Sequence, residues 1–289
     1  MSQNLKYQFA KLNIAEKLIV INVVLFLVNT IVTTLFLLPN DIVSRYFELP
    51  KDFFSFVTQP WSIVTYSFFH GSFGHIFWNM IWLYFFGRTF LNLFGHKKFV
   101  NVYFLGVIAG GLLFLLSYNV FPALININAA LIGASAGVMA ILIFVCTYIP
   151  NREVRFFVIN LKLWHIGVFV VLMDLLQIPS GSNTGGNLAH LGGAILGFVY
   201  ARQMLNGKDI GEGFSKFLDW CANLFKKSDK APLKTVYKNK TKTKPKANTS
   251  REKESNQRKI DTILDKISKS GYESLSKAEK DFLFKAGKD

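Results

Sequence analysis

From Leu18 to Leu38 the chain runs for 21 residues without a charge. As a helix that run is about 31 Å long, the thickness of a bilayer's hydrocarbon core. Further mostly apolar runs occupy 76–94, 99–118, 131–149, 161–177 and 187–204. Inside lipid every backbone amide must be paired within its own segment, so each run predicts a helix. The expected fold is an all-α membrane protein, a bundle of six transmembrane helices. Composition agrees: 51% of residues are hydrophobic, 29 of them Phe, and mean hydropathy is +0.30. A single soluble domain has no use for so much apolar surface.

Charge is unevenly spread. Residues 205–289 carry 21 of the 33 Lys and Arg and 12 of the 18 Asp and Glu. The chain therefore divides into a cytoplasmic N-terminus (1–17), a six-helix domain (18–204), an amphipathic and Lys-rich linker (205–250) and a short helical module (251–289). Connections between the spans alternate in charge. The N-terminus holds Lys6, Lys11 and Lys17, the turn after the second span Arg88, Lys97 and Lys98, and the loop after the fourth Arg152, Arg155 and Lys162. Loops 119–130 and 178–186 hold no charge. The positive-inside rule then puts both termini in the cytoplasm. A Lys- and Asn-rich tail suggests a bacterial inner membrane.

Loop 39–75 is long and rich in rings, among them Phe53, Phe54, Phe56, Trp61, Tyr66, Phe68 and Phe69. Aromatic rings favour the bilayer boundary, so this loop is expected to lie in the outer interface. Cys146 sits in an apolar run and Cys221 in the basic tail, which makes a disulfide framework untenable.

Polar residues inside spans are costly and point to function. His70, His75 and Asn79 open the second span, Gly133-Ala134-Ser135-Ala136-Gly137 opens the fourth, and Ala189-His190 the sixth. These spans all run from outside to inside, so His75, Asn79, Ser135 and His190 share a layer roughly 5–10 Å below the outer surface. A serine hydroxyl becomes a nucleophile when an imidazole removes its proton, and the same imidazole can protonate a leaving amine. His190 is the natural base for Ser135. An oxyanion needs preorganised donors, for which the Ser135 amide, His75, Asn79 and the backbone at Ala134 are candidates; His70, nearer the loop, is either an interface residue or a substrate contact. Gly133 with Gly137, and Ala189 with Gly193 and Gly197, have the small-xxx-small spacing that lets helices approach closely.

Each feature has a bland counterpart. Ser135 could be helix-packing glue, His190 could bond a carbonyl, and His75 with Asn79 could bridge helices. His96 and His165 fall on the inner side, as ordinary interface residues. Asp174 is an acid within an apolar run. A Ser-His-Asp triad is open for it, but a hydrogen-bonded cap or gate on the fifth span is the preferred expectation. Metal chemistry is disfavoured, with no H-E-x-x-H and few carboxylates near the histidines.

These residues resemble the rhomboid family of intramembrane serine proteases over about residues 15–205. The likeness rests on H-x-x-x-N at His75–Asn79, Gly133-x-Ser135, and A-H-x-x-G-x-x-x-G from Ala189 to Gly197. It implies a Ser135/His190 dyad and an oxyanion site from His75, Asn79 and the backbone around Ser135. The implied substrates are single-span membrane proteins cut near the outer face, without a cofactor. Where many members carry an aromatic ring four residues after the serine, this chain has Met139. The alternative is a catalytically silent relative that binds or escorts transmembrane clients; a six-helix transporter is weaker still.

In the tail, Phe214, Phe217, Leu218, Cys221, Leu224 and Phe225 form an apolar stripe, expected to lie on the inner interface as a helix. Residues 226–246 hold nine Lys against one Asp, which suits anionic lipid better than nucleic acid. Beyond them Ile260, Ile263, Leu264 and Ile267 form a helical stripe, Gly271 a stop, and Ser276 to Glu279 a capping box. So small a module needs the membrane domain or an unknown partner to dock on.

Overall fold

A computed structural model describes residues 2–39, 42–156, 159–181, 183–224 and 249–286. They belong to two compact units that divide after Lys226. In the first unit the apolar runs form α1 (Ile14–Leu35), α2 (Phe73–Leu93), α3 (His96–Val120), α4 (Ser135–Tyr148), α5 (Leu163–Gln177) and α6 (Thr184–Leu205). Among the described residues, three stretches are long and apolar enough to cross a bilayer: Ile14–Leu35, His96–Val120 and Leu163–Ser180.

The bundle is arranged around α4, which touches α2, α3, α5 and α6. Every residue from Ala136 to Cys146 is buried. A helix enclosed on all sides needs no polar face, which explains a sequence that is apolar all round. Its closest neighbour is α6, and glycine makes the approach possible. A methyl group on Gly193 would collide with the carbonyl of Ala136, and one on Gly197 with that of Ala140. On the α3 side, an added Cβ at Gly137 would lie 2.8 Å from the ring of Tyr103 and one at Gly192 2.7 Å from the carbonyl of Ala109. Gly106 and Gly110 of α3 meet Ala140 and Ala136 in the same way. Their own four-residue spacing is the sequence signal of this second packing face. Ala189 is buried, its carbonyl 2.6 Å from where a Cβ on Gly110 would sit.

The first, second, third and sixth helices start three or four residues before the expected 18, 76, 99 and 187, and the fourth and fifth start late because a strand precedes each. The fourth helix begins at Ser135 rather than 131. Strand β1 (Leu49–Pro50) pairs antiparallel with β2 (Ala130–Leu131), and Gly133 turns the chain at φ +121°. No helix accommodates that φ, and only glycine adopts it cheaply. Gly133 is therefore not half of a helix-packing pair, as its spacing suggested. The fifth helix starts at Leu163 rather than 161, because Glu153–Phe156 (β3) and Ile159–Lys162 (β4) form an antiparallel hairpin. The alternation of Ile159, Asn160, Leu161 and Lys162 has the two-residue period of a strand.

The aromatic loop is structured. It contains the helices Phe53–Thr58 and Ser62–Thr65 and a 3-10 turn at Tyr66–Phe68. Phe53, Phe54 and Trp61 are exposed, while Tyr66 is fully buried and donates its hydroxyl to the Val107 carbonyl (2.7 Å). The amphipathic segment forms α7 (Glu212–Leu224), which belongs to the first unit and touches α3. Asn101 of α3 donates to the Gly211 carbonyl (3.0 Å) and to Ser215 (2.8 Å), while Phe217, Trp220 and Leu224 stay exposed. Phe225 and the Lys-rich run 226–246 lie outside the described residues.

The second unit contains α8 (Thr249–Ser270) and α9 (Lys277–Ala286), linked through Gly271 at φ +76°. Ile263 and Leu275 are its buried apolar residues. The capping box is formed: the Ser276 amide donates to Glu279 Oε2 (2.7 Å) and the Glu279 amide to Ser276 Oγ (3.4 Å). Lys266 reaches the same carboxylate at 3.0 Å. Donation from the Ser276 amide, with Lys266 beside it, holds the Glu279 carboxyl down at about 2. A depressed carboxyl stabilises the hairpin fully above the ordinary glutamate range and loses that contribution as pH falls through about 2. Ser276→Ala and Glu279→Gln are each expected to speed hydrogen exchange at the Lys277–Lys280 amides and to leave the bundle unchanged.

Candidate active site

Four segments bring the polar layer together. Ser72 caps α2, its hydroxyl accepting the His75 amide (3.2 Å), which fixes His75 in the first turn and Asn79 one turn later. Asn79 is buried and donates one amide hydrogen to the His75 carbonyl (2.8 Å), leaving its second hydrogen for another acceptor.

The turn before α4 is built against these histidines. The Gly133 amide donates to the Tyr66 carbonyl at 3.0 Å. A Cβ placed on Gly133 would lie 2.6 Å from His75 Nε2 and 3.7 Å from Ser135 Oγ, so both groups crowd one point beside the turn. Glycine is thus required here for its φ and for the room it leaves to His75. The Ala134 amide donates to His70 Nε2 at 3.4 Å, and the His70 and His75 rings meet edge to face with centroids 5.0 Å apart. The Ala134 amide is therefore already engaged. The free amides at this point belong to the first turn of α4, beginning with Ser135, where no preceding helical carbonyl exists to take them. His70 positions this turn from behind.

Ser135 is the first residue of α4, and His190 lies in α6. The contacts of Ala136 with Gly193 and of Ala140 with Gly197 share one offset, so the helices run parallel in fixed register. Followed toward the helix starts, that register sets His190 opposite Gly133, two residues or about 3 Å along the axis from Ser135. The glycine contacts that pack the helices therefore also set the heights of serine and histidine. The His190 side chain is 21% exposed, and its Nδ1 is 2.8 Å from Asp174 Oδ1 on α5. The expected cap role of Asp174 gives way to a direct partnership with His190. With Nδ1 engaged by Asp174, Nε2 is the ring nitrogen left for a second group.

The remaining histidines have other surroundings. His165 Nδ1 accepts the Lys162 amide (3.2 Å) at the start of α5, and His96 opens α3 after Gly95. Cys146 and Cys221 are both free thiols. Met139 is buried within α4.

Comparison with known proteins supplies a second line of observation. A family model described as Rhomboid domain matches residues 57–207, about half of the chain. A model described as a family of unknown function (DUF6576) matches residues 247–285, the segment that folds as α8 and α9. Rhomboid-like protein 12, mitochondrial, of Arabidopsis thaliana is 27% identical over 158 residues, covering 51% of this chain and 47% of its own length. Rhomboid-like protease 1 of Toxoplasma gondii is 30% identical over 155 residues, covering 53% and 50%. The presenilin-associated rhomboid-like protein, mitochondrial, of Homo sapiens is 30% identical over 145 residues, covering 49% and 37%. The chain thus spans about half or less of the length of these relatives.

Proposed function

The chain belongs to the rhomboid family, and from that premise we propose that it is an intramembrane serine endopeptidase. One observation carries the reading: the turn at Gly133 and the glycine-set register of α4 and α6 bring Ser135, His75 and His190 into one layer. In the proposed reaction His190 Nε2 accepts the Ser135 hydroxyl proton as Oγ bonds to the scissile carbonyl carbon. The carbonyl oxygen becomes an oxyanion, held by the Ser135 amide, the spare amide hydrogen of Asn79 and His75. Collapse breaks the C–N bond, and His190 returns the proton to the departing amine. Water, deprotonated by the same imidazole, then attacks the acyl carbon; the C–Oγ bond breaks and the imidazole returns that proton to Oγ.

The substrates proposed are single-span membrane proteins, cut near the outer face because Ser135 begins α4 at that end. At 14 residues α4 is about 21 Å long, shorter than a hydrocarbon core of about 30 Å. Its serine end therefore stops short of the surface. All six helices are proposed to span, with both termini in the cytoplasm of a cell whose inner membrane holds the protein. The exposed Phe217, Trp220 and Leu224 would lie on the inner interface, and the Lys-rich run on anionic lipid. A partner for the tail is unknown; nucleic acid is not among those proposed. No metal or organic cofactor enters the reaction.

The test is labelling by a fluorophosphonate in isolated membranes. The expected adduct is on Ser135, located by mass spectrometry of the labelled peptide, and is lost in His190→Ala. Labelling elsewhere, or undiminished labelling in His190→Ala, would refute the proposal. Asn79→Ala removes one oxyanion donor among several and should lower kcat by about 10²-fold, near 3 kcal/mol, with KM almost unchanged. Steady-state kinetics on any cleaved substrate checks it.

A further inference from the structure

Helix α5 buries little of itself. Its buried residues are Leu163, Gly167 and Asp174, four and then seven positions apart and so on one stripe. Leu172, Leu175 and Leu176 are exposed. Two stripe positions hold what helix packing asks for. Leu163 is apolar, and an added Cβ on Gly167 would lie only 3.0 Å from the Cβ of Cys146 in α4. The third position holds a carboxylate where leucine would pack. Asp174 is 6% exposed, its Oδ1 lies 2.8 Å from His190 Nδ1, and its buried Oδ2 has no hydrogen-bond partner. Burying a carboxylate with one oxygen unpaired is costly, and apolar replacement of a buried ion pair is often neutral or stabilising. As packing, Asp174 is the poorer choice, so its value lies in what it does to His190.

We propose, resting on the protease reading above, that Asp174 is a positioning residue and that the site works as a Ser135–His190–Asp174 triad rather than a pair. Oδ1 accepts the Nδ1–H of His190, which fixes the tautomer and leaves the Nε2 lone pair facing Ser135. When the Oγ–H bond breaks and Nε2–H forms, the fixed carboxylate stabilises the imidazolium beside it. The proton passes from Oγ to Nε2 and then to the leaving amine, and none is transferred to Asp174.

The experiment uses the full chain in detergent micelles and a fluorophosphonate, with kinact and KI resolved for Asp174→Asn, Asp174→Leu and Asp174→Glu. Expected are falls in kinact of about 10²-fold or more for Asn and Leu with KI little changed, and partial recovery in Glu. Thermal unfolding of Asp174→Leu should match or exceed the wild type, which separates positioning from packing. In protein labelled with ¹⁵N-histidine, a hydrogen-bonded Nδ1–H of His190 should be present in the wild type and absent in Asn and Leu. Wild-type kinact in Asp174→Leu, or an unprotonated Nδ1 in the wild type, would overturn the assignment. Failure of the protease reading looks different, because the wild type itself then leaves Ser135 unlabelled. The imidazole signal alone then decides whether Asp174 orients His190.

Discussion

Ser135→Ala and His190→Ala each leave a folded bundle that hydrolyses no peptide at a measurable rate. The contact between α4 and α6 does not depend on either side chain; these helices meet through Gly193 and Gly197 against the carbonyls of Ala136 and Ala140. Removing the nucleophile or its base from such a site typically lowers kcat by about 10⁴- to 10⁶-fold. The two variants differ in stability. Ser135 is only partly buried, so its truncation to alanine should cost little. His190→Ala strands the Asp174 carboxylate, and losing one member of a buried pair costs up to about 3 kcal/mol. The double variant His190→Ala/Asp174→Leu should regain that loss while remaining inactive. Cleavage assays paired with thermal unfolding of all three distinguish chemical from structural loss.

The second large effect is structural. A side chain at Gly193 has nowhere to go, because the Ala136 carbonyl already occupies the space and backbone cannot rotate aside. Gly193→Val should cost more than about 3 kcal/mol and force α6 away from α4. Because Ala136 follows Ser135, the same displacement separates the serine from His190, and activity falls with stability. Gly213→Ala is the control. Nothing lies within 4 Å of a Cβ there, and the residue is inside α7, so alanine should stabilise by up to about 1 kcal/mol and leave activity unchanged. Unfolding midpoints and fluorophosphonate rates of both variants provide the check.

Much of this was legible in the chain. Apolar runs marked α1 to α6, because a long uncharged run forms a helix from local composition alone; among the described residues three stretches are long and apolar enough to cross a bilayer. Spacing at Gly193 and Gly197 marked the contact with α4, while Ala189 of the same series meets Gly110 of α3. At Gly133, His70 and Asp174 the deciding information was not local. Gly133 looked like a helix-packing residue because its spacing to Gly137 is right; its positive φ follows from pairing with Leu49–Pro50, some eighty residues away in the chain. His70 and the Ala134 amide were both singled out, but that one consumes the other could not be seen in either segment. Asp174 was conspicuous as an acid in an apolar run. Its partner became visible only when α5 was set against α6, because the sequence does not say which way a helix is rotated. The hairpin at 153–162 had a local signal in its alternation, hidden by the apolar run beside it.

The most direct measurement reconstitutes the full chain in liposomes with a panel of single-span proteins and maps every cut by mass spectrometry. Wild type, Ser135→Ala and His190→Ala are compared. The expected result is a cut near the outer end of the substrate helix by the wild type, with no product from either variant. Undiminished cleavage by Ser135→Ala, or cuts confined to the cytoplasmic side, would contradict the account.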